Sequence, residues 1–199
     1  MSIDRARFEQ GLTYEAFKAQ MTRNRDRLEE NERRAQLRPE DVAAFRDLPR
    51  PLHVLVLAED WCGDVLANLP VLGRLARESG KLDLRIFLRD QNDDLMQRYL
   101  NQGKYKSIPV FVFFDESFRE LGHWIERPAS VTELRTEWRR GIFAAHPEFG
   151  APDAPVDQLP EDVRGRLQAE LQKMRDDTAS FANGEVVREI RDLVTRVAA

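Results

Sequence analysis

The apolar positions of this chain change period along its length, and the changes mark out its elements. Near the start, Tyr14, Phe17, Met21 and Leu28 recur at helical spacing behind Thr13, a residue suited to capping a helix. The polar face of the same segment carries Arg25, Arg27, Glu29, Glu30, Glu32, Arg33 and Arg34. Such a mixture reads as a solvated, salt-bridged surface. Arg38-Pro39-Glu40-Asp41 predicts a second short helix, with proline in its first turn and acids at its positive end, closed by Pro49 and Pro51.

The period then shortens. Leu52-His53-Val54-Leu55-Val56-Leu57-Ala58 is a continuous apolar run rich in strand formers, the pattern of a strand covered on both faces. Residues 64–80 predict a helix with Leu66, Leu69, Leu72, Leu75 and Ala76 inward and Gly80 as its C-terminal cap. Leu82–Leu88 predicts a second strand. Asp90 or Asn92 is expected to cap a helix running to about residue 102, stopped by Gly103. Residues 109–114 predict a third strand, Asp115-Glu116-Ser117 a tight turn, and residues 119–125 a fourth strand. Ser130-Val131-Thr132-Glu133 has the form of a capping box for a helix carrying Leu134, Trp138 and Ile142 on one side. This order predicts one right-handed crossover between parallel strands and then an antiparallel hairpin. The fold class is α/β: a sandwich with a mixed four-stranded sheet.

Residues 146–160 contain Pro147, Gly150, Pro152, Pro155 and Pro160 and read as a linker. Two helices are expected after it, over residues 161–181 and 185–197, parted by Asn183-Gly184. Val186, Val187, Ile190, Leu193, Val194 and Val197 form an apolar stripe expected to pack on the domain or on the N-terminal helices. The chain thus divides into an N-terminal helical extension (1–50), a central domain (51–146) and a C-terminal linker with helices (147–199).

Composition narrows the class. The chain has 199 residues and a net charge of −4, which gives no electrostatic reason to expect nucleic acid. No apolar run approaches the roughly 20 residues that span a bilayer, and the first residues lack a signal-peptide pattern. A cytoplasmic location, with no membrane partner, is the expectation. Cys62 is the single cysteine, so an internal disulfide and a multi-cysteine zinc site are both excluded. His53 lies inside an apolar strand and reads as a core histidine; His123 and His146 show no metal-ligand spacing. No metal and no cofactor are expected.

Glu59-Asp60-Trp61-Cys62-Gly63-Asp64 stands at the junction of first strand and first domain helix. It resembles the Trp-Cys-Gly segment that opens the active site in the thioredoxin family. Ile108-Pro109 resembles that family's cis-proline segment, and Pro70 its helix-kinking proline. Arg89-Asp90-Gln91-Asn92 and Glu126-Arg127-Pro128 resemble strings of a bacterial thioredoxin-like family. The resemblance covers residues 52 to about 145. It implies a thioredoxin-like sandwich with helical extensions at both ends, and substrate contacts at Trp61, Gly63, Ile108 and Pro109. One departure is plain: Val65 stands where a dithiol enzyme keeps its resolving cysteine.

A thiol at a helix N-terminus faces free N–H groups and the positive end of the helix dipole, which favour the thiolate. Glu59, Asp60 and Asp64 lie close in sequence and would oppose ionisation. Asp64 has two readings: a first-turn acid complementing the dipole, or a catalytic proton relay to Cys62. Cys62 as nucleophile would form a mixed disulfide with a protein or small thiol substrate, resolved by an external thiol. The expected role is thiol–disulfide exchange or redox homeostasis. The alternative is a non-catalytic binding or assembly module, with the terminal helices available for homo-oligomers. A third reading, an iron–sulfur cluster shared between two chains, needs an added thiol because one protein thiolate per chain is too few.

Overall fold

The computed structural model describes residues 3–152 and 156–198. Four short helices open the chain: α1 (Arg5–Phe8), α2 (Tyr14–Gln20), α3 (Arg25–Arg34) and α4 (Pro39–Arg46). Then come β1 (Leu52–Ala58), α5 (Gly63–Ser79), β2 (Leu82–Leu88), α6 (Asp93–Met96), β3 (Val110–Phe114) and β4 (Glu120–Ile125). Three helices close it: α7 (Ala129–Ala145), α8 (Glu161–Asp177) and α9 (Ala179–Ala198).

The sheet has the order β2-β1-β3-β4. β1 and β2 run parallel from Leu52↔Leu82 to Ala58↔Leu88, as a crossover through α5 requires. β3 is antiparallel to both β1 and β4. This is the mixed four-stranded α/β sandwich expected from the alternation of apolar runs. β1 is central, so its side chains from Val54 to Ala58 are all buried, which explains the absence of a polar face in its sequence.

One hydrophobic core joins all three parts of the chain. Phe8, Phe17, Leu28 and Phe45 from the N-terminal helices meet the strands, and so do Val186, Val187, Ile190 and Val194 from α9. The predicted apolar stripe therefore packs inward on the domain; the Val197 side chain and Pro155 lie outside the described residues. A second, smaller cluster unites Ile142, Phe143, Phe149, Leu167 and Met174 between α7 and α8. Phe149 belongs to a 3-10 turn, Pro147–Phe149, so part of the expected linker is ordered by its own buried aromatic ring.

Two contacts weld the N-terminal extension to the sheet and to α5. Leu12 and Ile86 exchange both backbone hydrogen bonds, at 2.9 and 2.7 Å, along the outer side of β2. Pro70 lies inside α5 and has no N–H to offer the carbonyl of Leu66; Asn31 of α3 supplies the missing donor, Nδ2 to O at 2.8 Å.

Several expectations are corrected. The first predicted helix is two, because Asp60 captures the N–H groups of Thr22 and Arg23 at 2.8 and 3.1 Å and Asn24 turns left-handed at φ 56°. The helix expected to run to residue 102 stops at Met96, because Asn101 closes a tight turn on Tyr105 through Gln102 and Gly103, both at positive φ. The capping box before α7 does not form: Pro128 is the N-cap residue, and Ser130 donates to Glu185 of α9 at 2.6 Å instead. Leu134 and Trp138 on α7 are exposed, and only Ile142 of that predicted face is buried. The break between the last helices falls at Thr178, not at Asn183-Gly184, because the buried side chains on either side hold α9 continuous.

Candidate functional site

Cys62 is the N-cap residue of α5, at the C-terminal end of β1. The extended run of β1 delivers it there, and Gly63 starts the helix at once. The Ile108–Pro109 peptide bond is cis. Its segment lies against the thiol: Cys62 Sγ donates to the Ile108 carbonyl at 3.5 Å. The two segments are 46 residues apart in sequence, and the sheet pairing of β1 with β3 brings them together. A side chain at Gly63 would meet no atom within 4 Å, so the first turn of α5 opens to the surroundings beside the thiol. Trp61 is 43% exposed and has the Arg89 guanidinium over its ring at 4.7 Å. Arg89 also bonds Asp90 and the Lys106 carbonyl, which ties the end of β2 to the approach to Pro109.

The three carboxylates near Cys62 in sequence go three ways. Glu59 is buried and accepts the Asp90 N–H at 2.8 Å; burial pushes its carboxyl above the usual range. Asp60 turns to the N-terminus of α3, as described above. Asp64 alone of the three presses on the thiol. It accepts from Arg127 Nη2 at 2.7 Å and faces Arg135 at 3.9 Å. Burial raises the Asp64 carboxyl against the pull of Arg127.

The thiol itself is pushed up. Burial is the main cause, and the N–H groups of Val65 and Asp64 pull it back down. The Asp64 charge raises it further and the Arg127 charge lowers it. Burial thus outweighs the helix N-terminus. Val65, in the resolving position, is fully buried.

Behind the cis-proline lies a polar network that the sequence pattern did not single out as a site. The Glu126 N–H donates to Pro109 O at 2.7 Å, and Asn68 Nδ2 donates to Glu126 O at 2.8 Å. Asn101 Nδ2 reaches Glu126 Oε2 at 2.9 Å, and Glu126 also pairs with Arg127. The one available signal was the string Glu126-Arg127-Pro128, which carried a resemblance but no assigned role. Arg127 Nε is buried with no hydrogen-bond partner among the described residues. His53 stands at the far end of β1, stacked on Phe118 at 4.5 Å, and takes no part. Among the described residues no group of three or more acids, histidines or cysteines could hold a metal ion, and no helix is long and apolar enough to cross a membrane.

A family model described as thioredoxin matches residues 11–139. Curated proteins give no match. Among solved structures the chain is similar to a protein of unknown function from Pseudomonas aeruginosa, at 22% identity, covering 96% of this chain and 98% of that one with a TM-score of 0.63. It is also similar to an HIV epitope-scaffold at 19% identity, covering 97% and 98% with a TM-score of 0.65. At such identities these two likenesses speak for the fold alone.

Proposed function

Because the chain belongs to the thioredoxin family, we propose that it carries out monothiol thiol–disulfide exchange through Cys62. The observation that carries this reading is the placement of Cys62 Sγ against Ile108, beside the cis Pro109 and an open helix turn. The Cys62 thiolate attacks one sulfur of a substrate disulfide. A bond forms between Cys62 and that sulfur, the substrate S–S bond breaks, and the other sulfur leaves as a thiolate. An external thiolate then attacks the mixed disulfide and releases Cys62. Val65 offers no internal route, so the second thiol comes from solution. Trp61, Gly63, Ile108 and Pro109 would contact the substrate, and Asp64 would set the proton affinity of the thiol.

A raised thiol is a poor constitutive thiolate but an intrinsically stronger nucleophile once ionised. The cycle is therefore slow at neutral pH and quickens as pH rises. The test is reaction with an aromatic disulfide, comparing native protein, denaturant-unfolded protein and Cys62→Ser. The reading requires one mixed disulfide per native chain, released by added thiol, and a native rate above the unfolded rate at matched thiolate fraction. A native rate below the unfolded one at every pH sinks it.

A second reading is favoured by the raised thiol and the buried Val65: a binding or assembly module in which Cys62 does no chemistry. Full retention of biological function in Cys62→Ser would select it.

A further inference from the structure

Arginines from separate stretches of the chain converge on one face beside α5. Arg27 and Arg34 of α3, Arg135 of α7 and Arg175 of α8 line a cleft of about 220 Å3. On the other side of Arg135, a cleft of about 150 Å3 is lined by Arg127, Arg135, Arg139 and Arg175. The carboxylates lining these clefts, among the described residues, are Asp176 and Asp64. Asp64 already faces Arg127, and Asp176 accepts from Gln172 at 2.8 Å. In a chain of net charge −4, this is a local excess of positive charge that general basicity does not explain.

The excess is also partly desolvated. Arg27 and Arg175 are half-buried, and neither side chain makes a hydrogen bond or ion pair among the described residues. Arg135 is 11% exposed; its contacts are Thr178 Oγ1 at 3.3 Å and Asp64 at 3.9 Å. Burial pushes Arg27 and Arg135 below the usual guanidinium range; the charge of Arg175 lowers both further, while Asp176 at Arg27 and Asp64 at Arg135 pull them back up. Elsewhere part-buried arginines are paired: Arg74 with Glu78 and Arg85 with Asp83. Here the guanidinium groups outnumber the carboxylates that face them, and such an excess costs stability unless something from outside neutralises it.

We propose that the cleft between α3, α7, α8 and α9 binds a compact, multiply charged oxyanion of the phosphate type, with Arg27, Arg135 and Arg175 as its ligands. Guanidinium forks match the spacing of phosphate oxygens, and forks on three different helices suit a tetrahedral anion better than a lone carboxylate. Ser180 and Asn183 of α9 line the same wall with neutral donors. The volume suits a small ion or a phosphorylated small molecule, not a nucleic-acid strand. The site does not rest on the chemistry of Cys62.

The test is calorimetry and thermal unfolding of the full chain with inorganic phosphate, set against sodium chloride at equal ionic strength. Wild type, Arg27→Gln, Arg175→Gln and Cys62→Ser are compared. Phosphate raises the melting temperature of wild type and Cys62→Ser beyond the chloride control. Each arginine variant binds about tenfold more weakly or worse. Without phosphate, each arginine variant melts at or above wild type, because a repelling charge is gone. Glycerol phosphate binding more tightly than inorganic phosphate marks a phosphorylated molecule, and the reverse order marks the free ion; either supports the site. No shift beyond chloride overturns the proposal, as does a shift in both arginine variants as large as that of wild type. A variant that melts well below wild type without phosphate also overturns it, since the arginine would then be serving the fold.

Discussion

Asn31 donates from Nδ2 to the backbone oxygen of Leu66 at 2.8 Å, the oxygen that Pro70, four residues on, leaves without an N–H. A helix of the N-terminal extension thus completes the hydrogen bonding of the helix that carries Cys62. The extension is part of the site's scaffold rather than an appendage to it.

Asn31→Ala leaves the Leu66 carbonyl without that donor in a part-buried setting. The expected loss of stability is about 1–3 kcal/mol. Chemical denaturation measures it, and an unchanged midpoint would show that another donor takes over.

Asp60→Ala removes the acceptor for the Thr22 and Arg23 N–H groups and for the Thr22 hydroxyl. A loss of about 1 kcal/mol is expected, the net worth of exposed hydrogen bonds that water partly replaces. Hydrogen exchange should quicken at Thr22 and Arg23 first. Because Asp60 immediately precedes Trp61, the variant should also loosen the rim of the thiol site.

Asp64→Asn removes the charge that raises the Cys62 thiol and leaves in place the two backbone N–H groups that lower it. It also releases Arg127 from its partner, which acts in the same direction. Alkylation of Cys62 at neutral pH should become several-fold faster, and the midpoint of its pH profile should fall. Arg127→Gln should do the opposite. Equal profiles for the two variants would mean that burial alone sets the thiol.

Glu185 is held down to about 2 by Arg188, at 2.9–3.0 Å, and by the Ser130 hydroxyl. A carboxyl depressed in the folded state adds stability above its unfolded value of 4.5 and loses it as pH falls toward 2. The tie between α7 and α9 should therefore weaken in acid. Screening by solvent limits the effect to under about 1 kcal/mol. Carboxyl NMR titration is the direct check, with Arg188→Ala moving the midpoint back toward 4.5.

Local signals decided what could be read in advance. The unbroken run from Leu52 to Ala58 could only be a covered strand, and Cys62 at its end followed from the residues around it. That Ile108–Pro109 lies beside the thiol was implied by the resemblance; the cis form of the bond comes from the structure alone. The helix that stops at Met96 yields to a local turn at Asn101–Tyr105, but in the other misreadings packing or a partner from elsewhere overrode a local preference. Asp60 breaks a helical pattern nearly forty residues upstream. Glu185 takes the Ser130 hydroxyl that a capping box would have used. Asn183-Gly184, a turn signal by itself, stays helical because Ala182 and Val186 on either side are buried. The arginine cleft was invisible because its members come from three helices far apart in the chain.

The pairing of Leu12 with Ile86 has a consequence for the molecule's behaviour in company. β2 is an outermost strand, and the unpaired amides of such a strand are a template on which another chain can lay down a strand of its own. Leu12 occupies the middle of that template, and Gly11 beside it lets the segment lie close: a Cβ there would fall 2.6 Å from the Phe87 ring. A chain trimmed of this short crossing would lose some core, but it would also become adhesive. Its first symptom should be concentration-dependent aggregation rather than unfolding.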